Sequence, residues 1–398
     1  MKTPLQALQS HGQSVWLDNH RRSLIASGEL KRLIAKDGVC GLTSNTTAFE
    51  QIAIGSEDYR NLLAVPESPK LDAKERYERI VVREIQNAAD ALSSVYAKSK
   101  RRDGYVSLEV FPHLAHESQA TLTEARRLRK TVARENLMLQ VPGTPEGIAA
   151  AQQLISEGIN VHVTMLFAEA TYEQAAAAYL TGLDSLAQQG GDLSQVASVA
   201  SFYLSRIDTV VDQWIGEQLE GAHGDPGHQG VLRSLLGKVA IASAKTTYQK
   251  QLAIFSGDRW QALTRRGAQP QRLLWASTGT KNPTYSDVLY VEELIGPDTV
   301  NTMTLATLKA FRHHGRARPS LAENVQAAMS IMDLVHRAGI PLLRLTDKLL
   351  EDGLKQSEDA FSELLKTTTH GGKTCSHDPT EFLRIKLLKQ LYEGRQHS

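Results

Sequence analysis

Cysteine is almost absent from this 398-residue chain, which has only Cys40 and Cys375. A cross-linked framework is therefore excluded, and two thiols so far apart in sequence are expected to be reduced, as in a cytosolic protein. An excess of charge is lacking too: 45 Lys and Arg stand against 44 Asp and Glu. No global field draws the chain to nucleic acid or to an anionic membrane, so its ligand has to be recognised locally. Long apolar runs are missing, since no stretch approaches the roughly 18 consecutive apolar residues of a membrane span. The opening MKTPLQALQSHGQSVWLD has no signal-peptide core, and the expected location is the cytoplasm. No GxGxxG follows the first β-rich run, which argues against a dinucleotide-binding sheet. Internal repeats, low-complexity tracts and clear linkers are absent as well, and a single domain over 1–398 is expected.

What the chain does have is alternation. Short β-rich runs fall at 14–18, 38–44, 105–110, 137–141, 159–167, 196–204, 272–277 and 298–304, and several are almost wholly apolar, as in strands of a parallel sheet covered on both faces. Helical stripes lie between them. Val81, Ile85, Ala88, Leu92 and Val95 follow steps of four and three, and so do Leu321, Val325, Ala328, Met332 and Val335, a helix expected to begin at Pro319-Ser320. Eight strands alternating with helices predict an α/β fold, a (β/α)8 TIM barrel. Two stretches exceed the minimal repeat: a helical excursion over about 206–268, broken by GAHGDPGHQG, and a helical tail over about 340–398.

In such a barrel the chemistry gathers at the C-terminal strand ends. The polar residues there are Asp18; Thr43, Ser44 and Asn45; Glu109; Gln140; Thr164; Ser201, Tyr203 and Arg206; and Ser277 with Lys281. A polar site at one mouth is expected.

These residues lie in motifs that resemble the transaldolase family, in its longer bacterial form. SVWLDNHRRSLI, LTSNTTAFE, DGYVSLEV, NLMLQVPGTPEGI, INVHVTMLF, VASFYLSRID and WASTGTKNPTYSDVLYVEELIGPDTVNTM match it in order, from the first strand to at least residue 340. The resemblance implies transfer of a dihydroxyacetone unit between ketose and aldose phosphates in the pentose phosphate pathway. It implies a small sugar-phosphate substrate, no cofactor, no metal and, as a possible assembly, a homodimer. Carried over residue by residue, Asp18 handles the proton of the substrate hydroxyl, and Glu109 with Thr164 positions a water for proton transfer. Asn45 and Ser201 bind sugar hydroxyls, and Arg206 grips the phosphate with two parallel hydrogen bonds. Ser277 and Lys281 complete the substrate-binding set, Lys281 as a second phosphate contact.

The departures matter as much as the matches. The family pattern IKIPAT reads LQVPGT here, which puts Gln140 where the resemblance expects the Schiff-base lysine. A lysine amine attacks the ketose carbonyl and becomes an imine that accepts the electrons of the breaking C–C bond. An amide nitrogen, its lone pair shared with its own carbonyl, cannot. Thr46 replaces the proline of TSNP, and Gly143 replaces an alanine. Tyr203 stands where many members have phenylalanine, while the related fructose 6-phosphate aldolases use a tyrosine there as a proton donor; both packing and proton transfer are open to it. Several changes around one mouth favour a natural relative over a laboratory substitution. The expectation is a lysine-substituted transaldolase or an imine-independent sugar-phosphate enzyme, with a catalytically silent binding or partner protein as the alternative.

Three polar groups elsewhere carry weaker signals. HLAHE, with His113, His116 and Glu117, lacks the HExxH order of a zinc helix, and His223, Asp225 and His228 sit in a Gly- and Pro-rich turn, so neither is expected to hold a metal. Lys245, in GKVAIASAKTTYQ, is expected to be a solvated helix lysine, the other possibility being that it reaches a neighbouring element.

Overall fold

The computed structural model describes residues 3–18, 22–44, 72–221 and 225–369. Eight parallel strands close in sequence order into one barrel. They are β1 (Gln13–Asp18), β2 (Val39–Thr43), β3 (Tyr105–Glu109), β4 (Leu137–Pro142), β5 (Val161–Leu166), β6 (Ser198–Tyr203), β7 (Arg272–Ala276) and β8 (Thr299–Met303). Each falls within a residue or two of the run that predicts it. The helices are α1 (Pro4–Ser10), α2 (Arg22–Ala26), α3 (Glu29–Asp37), α4 (Ala73–Lys98), α5 (Ser118–Val132), α6 (Pro145–Ser156), α7 (Glu169–Gln188), α8 (Ser205–Gly221), α9 (Pro226–Leu235), α10 (Val239–Ile254), α11 (Asp258–Thr264), α12 (Leu289–Glu293), α13 (Leu305–His314), α14 (Val325–Arg337) and α15 (Leu342–Thr369). No helix among the described residues is long and apolar enough to cross a membrane.

The two-residue period of each strand divides the core in two. On β4, Leu137, Leu139 and Val141 join the layer between sheet and helices, whereas Met138 packs inside the barrel with Trp16, Tyr105, Val199, Leu274 and Val300. Gly41 makes that interior possible: a Cβ there would lie 2.3 Å from the Trp16 indole. The base of the barrel is closed by charge. Arg272, at 5% side-chain exposure, donates to Ser14 Oγ, the Arg102 carbonyl and Asp103, whose carboxylate also accepts from Trp16 Nε1 and Ser14.

Helix starts follow local chemistry. Asp72 and Glu75 form a reciprocal capping box at α4, and Thr144 caps α6 with Pro145 at its first position. The excursion is held by two aspartates one turn apart on α8. Asp208 accepts from the Ala240 N–H and the Tyr290 hydroxyl, both at 2.8 Å, and Asp212 from the Gly237 N–H and the Tyr285 hydroxyl. They supply the acceptors that the N-terminus of α10 lacks, because Lys238 provides no side-chain cap. Burial pushes the Asp208 carboxyl up to about 6 against the lowering effect of those hydrogen bonds.

Two expectations need correction here. The helix predicted from Pro319-Ser320 begins only at Val325; Leu321 lies in a 3-10 turn, Ser320–Ala322, and Asn324 is left-handed at φ 55°. The reason is Lys245, which is buried rather than solvated. Its Nζ donates to the carbonyls of Ser320 at 3.0 Å and Glu323 at 2.9 Å, which draws that turn onto α10 and postpones the helix. The tail is helical through Thr369 as α15, and the rest of 340–398, with Cys375, lies outside the described residues. Cys40 is buried, its thiol 3.4 Å from the Val15 carbonyl.

Candidate active site

The C-terminal ends of the strands surround a small cavity of about 40 Å³. Asp18, Thr43, Ser44, Gln140, His162, Ser201, Tyr203, Arg206, Ser277 and Thr302 line it. Eight residues expected from the sequence thus converge there: Asp18, Thr43, Ser44, Gln140, Ser201, Tyr203, Arg206 and Ser277.

Neighbouring strands place the polar groups side by side. Glu109 pairs with Gln140 across β3 and β4, and Gln140 with His162 across β4 and β5. Gln140 is 4% exposed, and its carboxamide oxygen accepts from Ser107 Oγ at 3.0 Å. On the opposite wall Thr43 Oγ1 donates to Asp18 Oδ1 at 2.9 Å and meets Thr302 Oγ1 at 3.0 Å. Once the Thr43 proton is committed to Asp18, Thr302 has to be the donor in the second contact. The carboxylate thereby ends a two-hydroxyl chain.

Thr164 does not line the cavity itself but lies 3.1 Å from the Tyr203 hydroxyl. Burial first, then the Asp18 and Glu109 carboxylates, push the Tyr203 phenol up to about 12, against the Thr164 hydrogen bond and the Arg206 charge. The phenol is therefore protonated at neutral pH. Glu109 stands half-buried at the end of β3, its N–H held by Ser44 Oγ, and it lines the adjoining apolar crevice with Tyr77, Phe111 and Phe361 rather than the central cavity.

Arg206 is positioned through the backbone. The β6–β7 pairing continues past the strands: Leu204 N–H donates to the Ala276 carbonyl and Ser205 N–H to that of Ser277, so α8 starts against the rim. Ser277 is left-handed at φ 51°, as is Met165 at φ 61° at the end of β5. Such conformations cost about 1 kcal/mol or more for a residue with a side chain. Over the mouth lies α15, which packs on α4, α8 and β5; a Cβ at Gly353 would come 3.4 Å from the Arg206 guanidinium and 3.5 Å from the Met165 sulfur. Near its far end Phe361 packs on Tyr77 and Phe111.

Lys281 is exposed in the loop after β7 and is not among the residues that line the cavity. Asn45 and Thr46 lie outside the described residues, as does His223. His113 stacks on Phe111, and His116 lies 3.5 Å from Glu146. No group of three or more His, Cys, Asp or Glu placed to hold a metal ion occurs among the described residues.

The profile of the family described as Transaldolase/Fructose-6-phosphate aldolase matches residues 15–368. The chain belongs to that family. It is 43% identical over 367 residues to a protein named Transaldolase 2 from Nostoc sp., covering 91% of this chain and 96% of the relative. A Thiobacillus denitrificans protein named transaldolase is 45% identical over 354 residues, 89% of this chain and 96% of the relative. A namesake from Neisseria gonorrhoeae is 41% identical over 363 residues, 91% and 99%. The closed eight-stranded barrel agrees with this transaldolase-family membership.

In this family member His162 and Thr302 line the cavity and Ser107 holds Gln140 from behind it, three groups that the strand-end pattern does not single out. Two of the three follow from one rule. His162 and Ser107 each lie two residues before an inward-facing polar residue already identified, Thr164 and Glu109, whereas Thr302 pairs with Trp16 across β1 and β8 and gains its role only through the contact with Thr43 Oγ1.

Proposed function

We propose that this chain is a transaldolase-like enzyme of phosphorylated sugars that works without an imine. The observation that carries the reading is the convergence of Asp18, Gln140, Ser201, Tyr203 and Arg206 on one cavity at the C-terminal mouth of the barrel. Arg206 takes the phosphate, Ser201 a sugar oxygen, and Gln140 stands at the position of the Schiff-base lysine. Loss of a covalent nucleophile costs about a million-fold where a reaction depends on it, so aldol transfer by the lysine route is closed. Proton transfer remains open. Asp18 is the base, with Glu109 as the second carboxylate near the site, and Tyr203 with Thr164 the donor pair; Gln140 holds the oxygen of an enediolate through its carboxamide hydrogens. The reaction class is isomerisation or epimerisation of a sugar phosphate.

The test is borohydride reduction in the presence of fructose 6-phosphate, followed by peptide mass mapping, on the native chain and on Gln140→Lys. An amine adds to the ketose carbonyl with loss of water, and hydride then fixes the imine as a secondary amine. No adduct is expected in the native chain, and one at residue 140 in the variant. A native adduct at Lys281 or Lys245 refutes the mechanism. A Gln140→Lys variant with neither adduct nor aldol transfer refutes the claim that the pocket still accepts a ketose phosphate, and leaves a silent binding protein as the reading.

A further inference from the structure

His162 is unaccounted for by the chemistry above, although it lies at the centre of the cavity wall between Gln140 on β4 and Ser201 on β6. It is 2% exposed, Ser201 is 1% exposed, and the imidazole Nε2 is hydrogen-bonded to Ser201 Oγ. Its other ring nitrogen, Nδ1, is buried with no hydrogen-bond partner among the described residues. Burial holds the imidazole far below its usual pKa of 6.5, at about 3, so the ring is neutral at any physiological pH and carries a single N–H.

Two tautomers are then possible, and they differ in what they leave unmet. With the proton on Nδ1, a buried N–H has no acceptor, which is the rarer and costlier orphan in proteins. With the proton on Nε2, only a lone pair is unmet at Nδ1, and the N–H is used on Ser201 Oγ. In that arrangement Ser201 accepts from His162, and its own O–H has no other acceptor among the described residues, so it turns to the cavity that Ser201 lines. Gln140 is committed in the same sense. Its oxygen is used by Ser107, which leaves the carboxamide N–H groups for the cavity.

We propose that His162 is a positioning residue: as the Nε2–H tautomer it makes the Ser201 hydroxyl a donor into the cavity, where Ser201 and the Gln140 amide form a paired-donor cradle for an unprotonated sp2 oxygen of the substrate. The ligand class is an open-chain sugar phosphate presenting a carbonyl, or the enediolate derived from it, in preference to one presenting a hydroxyl at the same carbon. This part rests on the sugar-phosphate reading of the cavity; the tautomer does not.

The experiment therefore has two arms. In the first, long-range nitrogen–proton correlation on protein labelled with 15N-histidine identifies the His162 ring by its loss in His162→Gln. The Nε2–H tautomer is expected at pH 7, and an Nδ1–H ring or an imidazolium overturns the proposal. In the second, calorimetry compares 5-phosphoarabinonate, whose terminal carboxylate mimics the enediolate oxygens, with arabinitol 5-phosphate, which carries a hydroxyl there. The native chain is expected to favour the aldonate by about tenfold or more. His162→Leu, which cannot donate to Ser201, should lose most of that preference with little change for the alditol, and His162→Gln, whose amide can donate, should restore it. Equal affinities in the native chain, or a preference that His162→Leu leaves intact, overturn the cradle. If the native chain binds neither probe, the sugar-phosphate reading and the cradle fall together, and the spectrum alone decides the tautomer. Should His162→Leu fail to fold, the native selectivity and its retention in His162→Gln carry the second arm.

Discussion

Lowering the pH from about 7.5 to about 5 puts a proton on His162 in the unfolded chain but not in the folded one, and the consequence can be worked from its burial. The folded pKa lies at about 3 against 6.5 for an ordinary histidine, and burial alone is the cause, with no neighbouring charge contributing. A depressed pKa means that the unfolded state binds the proton first as the pH falls. The stability this neutral ring contributes is whole above pH 6.5 and drains away between there and pH 3. At pH 5 the linkage relation gives a loss of about 2 kcal/mol. The assay is urea unfolding of the native chain and of His162→Gln at both pH values. Glutamine does not titrate, and every other titrating group is common to both proteins, so the difference between the two isolates this residue. The native advantage should shrink by about 2 kcal/mol on acidification. If the two proteins respond in parallel to within about 0.5 kcal/mol, the ring is solvated or charged in the fold, and the account of the cavity wall built on it fails.

Asp208 titrates in the opposite sense. Its folded pKa is raised from 3.8 to about 6, so protonation favours the fold below that range and the benefit is lost as pH rises through about 6. Compared with Asp208→Asn, the native chain should gain about 2 kcal/mol between pH 7 and pH 4.5 in the same unfolding assay; a constant difference means that the carboxyl is solvated. At the barrel base, Arg272→Met strips the partly buried Asp103 carboxylate of its countercharge. A loss of about 3–5 kcal/mol in urea unfolding is expected, and a loss below about 1 kcal/mol shows that the Trp16 and Ser14 donors suffice. In the cavity, Thr43→Val removes the donor to Asp18. The acid limb of the pH–rate profile for sugar-phosphate turnover should then move upward; an unmoved limb excludes Asp18 as the titrating base.

Much of the barrel was legible because its signals are local. Short β-rich runs, several of them almost wholly apolar and separated by helical stripes, point to parallel strands whatever surrounds them, and all eight strands fall where those runs lie. The start of α14 was not legible, because a lysine 75 positions earlier in the chain, Lys245, holds the Ser320 carbonyl that a helix would otherwise have used. His162 was missed for a related reason: as one inward residue of a fully buried strand it reads as core, and only Ser201 opposite it, 39 residues on, gives it a role. Lys281 is undecided by its sequence in another way. Its motif promises a phosphate contact, yet nothing local says whether a loop lysine turns into the mouth or away from it.

Sequence alone determined the period, order and kind of the elements, the family to which they belong, and the carboxamide at residue 140 that cannot form an imine, because these depend on local spacing and on the chemistry of single side chains. Tertiary structure decided which of the polar strand ends meet around one cavity, which ring nitrogen of His162 is left without a partner, and how far burial moves Tyr203, Asp208 and His162 from their ordinary titration. Those depend on distances between residues far apart in the chain and on how much water the folded molecule leaves around them, which no reading along one strand can supply.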